Sequence, residues 1–394
     1  MPYSWETTID ILIIWAVLCS IFIGFPILYR LYMGRIASRP WKLKTDKNYS
    51  PQITILVPTY NEADIIDLKL DNLSKLTYPR NLTQIILIDS GSEDKTLEKI
   101  VNFSKNHPEM NIKFVEEKER RGKSNALNIA LTYATGEIIV VSDADCFLFP
   151  DILEKSLQYL ADQTVGAIVG REVLLNPNRT WITKNENIYR NLMSCIRLGE
   201  SKYFSTIIFE GGFSAYKRTF LDKFDSETGC DDTGTALTVV QKKARTILIP
   251  EATFFTAFPT TWKGKFVIKL RRASQLIQIW TKCLTYLLKN RLMLPKRIAI
   301  SEIFLHIFNP IIFALLTLAT FLLVLRYPIF LLAFLCIFVI PKTRNVLIET
   351  LQNNVILLGA LISLILKRRF VIWNKTNESR KELTRDLLVS HKLL

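Results

Sequence analysis

The residues with the most chemistry to offer are acids that follow apolar runs. Asp143-Ala-Asp145 comes directly after Ile138–Val141, Asp89 closes Ile85–Asp89, and Glu62 follows Ile53–Val57 through Pro58, Thr59, Tyr60 and Asn61. A further pair, Asp231-Asp232, precedes a segment that reads as a helix over Thr235–Lys243. Two carboxylates one residue apart form a hard-oxygen donor set of the kind that takes Mg2+ or Mn2+, the cations that carry diphosphates. Taken alone, Asp-Ala-Asp reads equally as a solvated turn. Glu62 and the Asp231-Asp232 pair also suit helix N-termini as acids that complement the dipole, a role compatible with holding a ligand at Glu62. Basic residues stand between the acidic stations: Arg120-Arg121-Gly122-Lys123 opens a helix over Ser124–Thr132. Cations at a helix start oppose the dipole unless an anion sits between them, and a diphosphate is such an anion. The spacing is not that of a Walker loop.

The remaining residue types narrow the chemistry. The only histidines, His107, His306 and His391, have no ligand pattern around them. The six cysteines include no Cys-x-x-Cys pair, so neither a zinc site nor a disulfide framework is expected. Proton transfer therefore falls to carboxylates. A net charge of +15 admits nucleic acid as a partner, yet the basic residues cluster beside apolar segments, where anionic lipid headgroups are the simpler partner. No basic, aromatic-interleaved nucleic-acid module is present, and none is expected to bind.

These acids need a scaffold that brings them together. Apolar runs at Ile53–Val57, Ile85–Asp89, Ile112–Val115, Ile138–Val141, Val165–Val169 and Ile247–Ile249 read as strands. Helical stretches near Asp64–Lys75, Asp94–Lys105 and Ser124–Thr132 separate the early ones. That alternation is βαβ grammar and predicts an α/β fold with a mostly parallel sheet, its strands buried on both faces. Right-handed crossovers place the turns after successive strands on one edge, which is where such sheets bind ligands.

The hydrophobic content of 49% and positive mean hydropathy are concentrated at the two ends of the chain. Thr8–Tyr29 is long enough to span a bilayer and carries only Asp10 as a charge. Arg30, Arg35, Arg39, Lys42, Lys44 and Lys47 follow it, so the positive-inside rule places the next domain in the cytoplasm. The expected organisation is a transmembrane helix and basic linker over 1–47, the sheet domain over 48–260, amphipathic interfacial helices over 261–300, a transmembrane region over 301–370 and a cytoplasmic tail over 371–394. Within the transmembrane region, 303–325 reads as one span and Ile329–Ile340 as most of another. Val355–Leu366 is short and reads as re-entrant or interfacial, which keeps Lys367-Arg368-Arg369 on the cytoplasmic side.

The ordered motifs Val57-Pro-Thr-Tyr-Asn-Glu62, Asp89-Ser-Gly-Ser-Glu-Asp94, Arg120-Arg-Gly-Lys-Ser-Asn-Ala-Leu-Asn128, Asp143-Ala-Asp145, Glu210-Gly-Gly-Phe-Ser-Ala-Tyr216 and Asp231-Asp-Thr233 resemble those of family 2 glycosyltransferases with the GT-A (Rossmann-like) fold. They are most similar to the membrane-embedded members that build polysaccharides or lipid-linked glycans. The resemblance implies a nucleotide-sugar donor held by Pro58, Tyr60, Glu62, Asp89, Lys123 and Asp143, with Asp145 and Asp143 on the metal. It implies an acceptor loop at Gly211, Gly212 and Phe213, and a base at Asp232 beside Asp231. Processive relatives carry Gln-x-x-Arg-Trp on the interfacial helix. This chain has Gln275-Leu-Ile-Gln278-Ile-Trp280 with Arg271-Arg272 one turn earlier, a departure that leaves processivity open. On that resemblance Arg271, Arg272 and Gln275 reach the donor and Trp280 stacks on an acceptor sugar. Trp373-Asn-Lys-Thr376 resembles a cytoplasmic gating segment of some relatives. The implied activity is sugar transfer to a lipid-linked or polysaccharide acceptor, in contact with membrane lipids. A membrane-bound nucleotidyltransferase or an inactive nucleotide-sugar-binding partner would share part of the pattern.

Overall fold

The computed structural model describes residues 5–117, 119–329, 341–366 and 377–394. The chain divides into two compact units, one formed by 35–265, 292–295 and 370–394, the other by 1–34, 266–291 and 296–369.

The first unit is built on an eight-stranded sheet in the order β3-β2-β1-β4-β7-β6-β8-β5. Its strands are β1 (Ile53–Thr59), β2 (Thr83–Asp89), β3 (Asn111–Glu116), β4 (Ile138–Val141), β5 (Phe147–Leu148), β6 (Val165–Leu174), β7 (Ser214–Lys217) and β8 (Arg245–Thr256). The four strands β3, β2, β1 and β4 run parallel, as the βαβ alternation predicts. Every residue of β4 is buried, so its unbroken apolar sequence is what a strand covered on both faces requires. Beyond β4 the sheet turns mixed. β7 pairs antiparallel with both β4 and β6, while β6 and β8 run parallel to each other. The six strands expected from sequence all form. β5 and β7, two and four residues long, were too short to give an apolar run of their own.

The helices α2 (Ile66–Ser74), α3 (Thr96–Asn106) and α4 (Lys123–Tyr133) follow β1, β2 and β3. They are joined later in the chain by α5 (Ile152–Leu157), α6 (Trp181–Tyr203) and α7 (Asp231–Gln241). No helix is expected over α6 from the sequence pattern. Its start is fixed by a capping box in which the Thr180 hydroxyl accepts from the Thr183 N–H and the Thr183 hydroxyl accepts from the Thr180 N–H. The strand order reverses at β1, with β2 on one side and β4 on the other, so a crevice opens at the carboxyl ends of β1 and β4. Register aligns Thr59 with Asp89 and Asp89 with Glu116 on that edge.

The C-terminal 377–394 belongs to this unit and is folded against it. Leu383, Leu388 and Leu393 are buried in one apolar cluster with Ile65, Phe147, Leu175 and Phe255. The described part of the region expected as a cytoplasmic tail, 377–394, therefore packs on this domain.

The second unit is helical. It contains most of α1 (Trp5–Ala37) and the greater part of α8 (Trp262–Leu288). It also holds α9 (Lys296–Ile303), α10 (Asn309–Arg326) and α11 (Pro341–Ile365), with a short π-helical turn at Phe304–Phe308 joining α9 to α10. Among the described residues, Asp10–Ala37, Lys296–Arg326 and Arg344–Ile365 are long and apolar enough to cross a membrane by length and composition. The last of these corrects the reading of Val355–Leu366 as short. The helix begins at Pro341, and Glu349, Gln352, Asn353 and Asn354 had broken the apolar run. Glu349 and Asn353 face inward to the Lys269 ammonium, at 3.2 Å and 3.0 Å. The apolar side of α11 packs on α8, with Ile356 and Ala360 against Ala273 and Ile277. The expected crossing at 329–340 lies outside the described residues, apart from Ile329, and so do Lys367-Arg368-Arg369 and Trp373–Thr376.

Candidate active site

The crevice beside β1 is lined by turns that are laced together. The Asn61 N–H donates to the Ser92 hydroxyl at 2.8 Å, the Glu62 N–H to the Thr96 hydroxyl at 2.8 Å, and the Glu93 N–H to the Asn61 side-chain oxygen at 2.8 Å. Asn61 takes a φ of +52°, which asparagine tolerates better than most residues. The lacing fixes Pro58-Thr-Tyr-Asn-Glu62 against Asp89-Ser-Gly-Ser92. Asp89 is buried, and its carboxylate accepts from the Ser92 N–H at 2.8 Å and the Ser92 hydroxyl at 2.5 Å. Tyr60 is half-buried and carries the Arg120 guanidinium over its ring at 3.6 Å.

One turn further along the edge, the acids and the cationic helix start meet. Gly122 caps α4 at a φ of +98°, a conformation a side chain would strain, and so delivers Lys123 into the crevice. The Lys123 ammonium lies 2.7 Å from Asp143 and 3.0 Å from Asp231. Burial alone would lower its pKa, but Asp143, Asp231 and Asp232 outweigh burial and hold the ammonium charged well above its ordinary range. Lys123 therefore ties the Asp143-Ala-Asp145 turn to the start of α7, joining stations 88 residues apart (143 to 231).

Asp231 and Asp232 occupy the first turn of α7, so the helix starts at the acids themselves and not at Thr235 as the sequence suggested. Asp232 accepts from the Thr233 N–H at 2.7 Å. Burial, reinforced by Asp231 and opposed by Lys123, pushes its carboxyl up to about 6. That is a value suited to taking a proton near neutral pH.

Gly211 and Gly212, expected from sequence in an acceptor loop, are pressed against the same turn. The Gly211 carbonyl accepts from the Asp143 N–H at 3.1 Å, and the Gly212 carbonyl accepts from the Ser142 hydroxyl at 2.9 Å. A Cβ on Gly211 would collide with the Lys123 ammonium and lie 2.6 Å from the Asp143 carboxylate. Both are the ends of flexible side chains. Gly211→Ala is therefore expected to fold with a melting temperature near that of the wild type while weakening nucleotide binding about tenfold or more. Calorimetric titration beside a thermal melt checks this. Phe213 is fully buried in the main core, packed as a core residue with no surface for an acceptor.

Arg271, Arg272, Gln275 and Trp280 all lie on α8 within the helical unit. Arg272 is exposed, and Arg271 and Gln275 are half-buried. Trp280 is fully buried and stacks on His306 at 5.8 Å, so its ring is already occupied by packing.

Asp143, Asp145 and Cys146 bring potential ligand atoms within 4.8 Å of one another. Burial, with Asp145 and Asp143 close by, raises the Cys146 thiol well above its ordinary value, which keeps it protonated and a poor ligand. The two partly exposed carboxylates remain, an oxygen-only set that fits a hard divalent cation.

Two residues here gave no signal in sequence. Lys69 is fully buried under the turn, donating to the Ser142 hydroxyl at 2.7 Å and the Cys146 carbonyl at 2.6 Å, and burial lowers its pKa to about 8. Its place between Leu68 and Leu70 resembles that of any helix-surface lysine. Arg380, in a polar C-terminal stretch, grips Glu62 through Nε at 2.9 Å and a terminal nitrogen at 2.6 Å.

The Glycosyl transferase family 2 model matches residues 54–224. A mannosyltransferase from Pyrobaculum calidifontis, solved with GDP-Man and Mn2+, superposes with a TM-score of 0.78 at 30% identity, over 91% of this chain and 100% of that one. The chain belongs to glycosyl transferase family 2. Among curated family members, a probable glycosyltransferase of Bacillus subtilis, YdaM, is 26% identical over 60% of this chain and 57% of its own length. A poly-beta-1,6-N-acetyl-D-glucosamine synthase of Staphylococcus epidermidis is 28% identical over 48% of this chain and 46% of its own. The chain thus spans about half the length of the curated relatives it matches. The segment matching the family 2 model carries Glu62, Asp89, Lys123, Asp143, Asp145 and Gly211–Phe213 and ends before Asp231 and Asp232.

Proposed function

We propose that the protein is a membrane-bound inverting glycosyltransferase that moves a sugar from a nucleoside diphosphate to a hydroxyl of a lipid-linked or polysaccharide acceptor. The observation that carries this reading is the Lys123 bridge. One ammonium holds the Asp143-Ala-Asp145 turn against Asp231, next to a carboxyl whose pKa of about 6 suits a base. The structure of the P. calidifontis mannosyltransferase with GDP-Man and Mn2+ supports a nucleotide-sugar donor and a divalent cation here as well.

In this mechanism the laced turns at Tyr60–Glu62 and Asp89–Ser92 receive the nucleoside. Asp143 and Asp145 would hold Mg2+ or Mn2+, which when bound neutralises charge on the leaving diphosphate. Asp232 takes the proton from the acceptor hydroxyl. That oxygen bonds to the anomeric carbon as the carbon–phosphate-oxygen bond breaks, and the nucleoside diphosphate leaves. A single displacement from the face opposite the leaving group inverts the anomeric centre. The candidate spans and the basic segment after the first of them support a membrane protein with its catalytic domain on the cytoplasmic side.

Product analysis decides between reaction classes. Incubation with nucleotide sugars and a lipid extract should release nucleoside diphosphate, and a chelator should suppress that release more than a hundredfold, with recovery on adding Mn2+ or Mg2+. Release of pyrophosphate would instead identify nucleotidyl transfer, and full turnover in chelator would remove the metal from the scheme.

A further inference from the structure

The C-terminal segment puts a guanidinium into the acidic site. We propose that Arg380 is a positioning residue that stands in for a divalent cation between Glu62 and Asp145 and yields Asp145 when a cation binds. This rests on the reading of Asp145 as a metal ligand.

The geometry separates an anchor from an exchangeable partner. Arg380 holds Glu62 with two nitrogens, at 2.9 Å and 2.6 Å, the paired planar contact for which arginine is suited. The side chains of both residues are almost fully buried, at 6% and 7% exposure. Arg380 reaches Asp145 through a terminal nitrogen at the longer distance of 3.3 Å, and the Asp145 side chain is 25% exposed. The second contact is the longer one and the more open to solvent, so an arriving cation displaces it first.

The segment is also held where this exchange needs it. Leu383, Leu388 and Leu393 pack with Ile65 and Phe147, which lie three residues after Glu62 and two after Asp145. The Asn72 amide donates to the Leu393 carbonyl at 2.7 Å. On the other side of Arg380, the Glu378 carboxylate accepts from the Thr260 and Thr261 N–H groups at 2.8 Å and 2.7 Å. Arg380 is thus held on one flank beside the two turns whose carboxylates it joins, and on the other by the segment that follows β8. Its positive charge beside Asp145 opposes a second cation there, so Arg380 sets how tightly the site takes metal.

The test is Mn2+ binding to the full chain in detergent without donor or acceptor, read from the electron paramagnetic resonance of free Mn2+. Wild type should bind Mn2+ and Asp145→Asn should not. Arg380→Gln should bind about tenfold tighter, whereas Arg380→Lys, which keeps the charge, should stay within about threefold of wild type. General damage to the site would weaken binding, so tightening is a response that loss of structure does not give. An unchanged or weaker Kd in Arg380→Gln overturns the proposal. Leu388→Ala supplies a second route, because it loosens the segment and keeps the arginine. It should tighten binding less than Arg380→Gln and add nothing in the double variant, and full additivity or no effect counts against the proposal. If wild type and Asp145→Asn titrate alike, the metal assignment itself fails and this inference falls with it. If they differ while Arg380→Gln does not move, only the role of Arg380 is lost.

Discussion

Asp232→Asn should lower transfer at pH 7 by between about a hundredfold and ten-thousandfold, the range general-base catalysis supplies, with donor-nucleotide affinity held within about threefold. The amide keeps the shape and loses the ability to take a proton. Wild-type activity should depend on pH in a definite direction. The Asp232 carboxyl is pushed up to about 6 by burial and by Asp231, and as the proposed base it would act only when ionised, so the rate should rise as pH increases through about 6 and level above it. The variant should lose that limb and give a flat residual rate. Stability should move the other way. A carboxyl whose pKa is higher folded than unfolded destabilises the fold once ionised. That destabilisation is complete above about 6 and vanishes below the ordinary value of 3.8. Asp232→Asn should therefore melt at the same temperature as wild type or higher at pH 7, and at no higher temperature near pH 3. A large loss of stability at pH 7, or a rate limb that survives the substitution, would remove Asp232 from the role of base.

The parts of this site legible in sequence are those built from short local patterns. Ile138–Val141 announced a doubly covered strand because four consecutive apolar residues have no solvent-facing side, and β4 forms over those residues. The acids at strand ends were readable for the same reason, since parallel crossovers collect successive strand ends on one edge. What sequence did not show is pairing across distance. Lys123 reads as the last residue of a cationic run that opens a helix and faces an anion, yet its ammonium is turned onto Asp143 and Asp231. Nothing local in either motif encodes that bridge. Lys69 and Arg380 are harder still. Each is a charged residue in a setting where charged residues are usually solvated, and only the packing of α2 under the turn and of Leu383, Leu388 and Leu393 on the domain buries them. Phe213 and Trp280 show the opposite limit. An aromatic residue in a functional motif reads as a contact for sugar, but the fold uses both rings as core.

Lys123→Met should also reduce activity more than a hundredfold at pH 7, and its pH profile should separate it from Asp232→Asn. Lys123 has two effects that the substitution removes together. Its ammonium neutralises Asp143 and Asp231, and without it the crevice offers an anionic donor a surface of uncompensated carboxylates, so donor affinity falls. It also opposes the upward push on Asp232. With that opposition gone, the Asp232 carboxyl rises further above about 6 and less of the base is ionised at neutral pH. The activity limb must therefore shift to higher pH. At saturating donor the variant should recover at least about tenfold between pH 7 and pH 9, whereas Asp232→Asn, with no carboxyl left to ionise, should recover nothing. Recovery at saturating donor isolates the electrostatic effect on the base from the loss of donor binding, since the second is overcome by concentration and the first only by pH. A Lys123→Met profile with its limb still at about 6 would show that the ammonium serves the donor alone and does not tune the base.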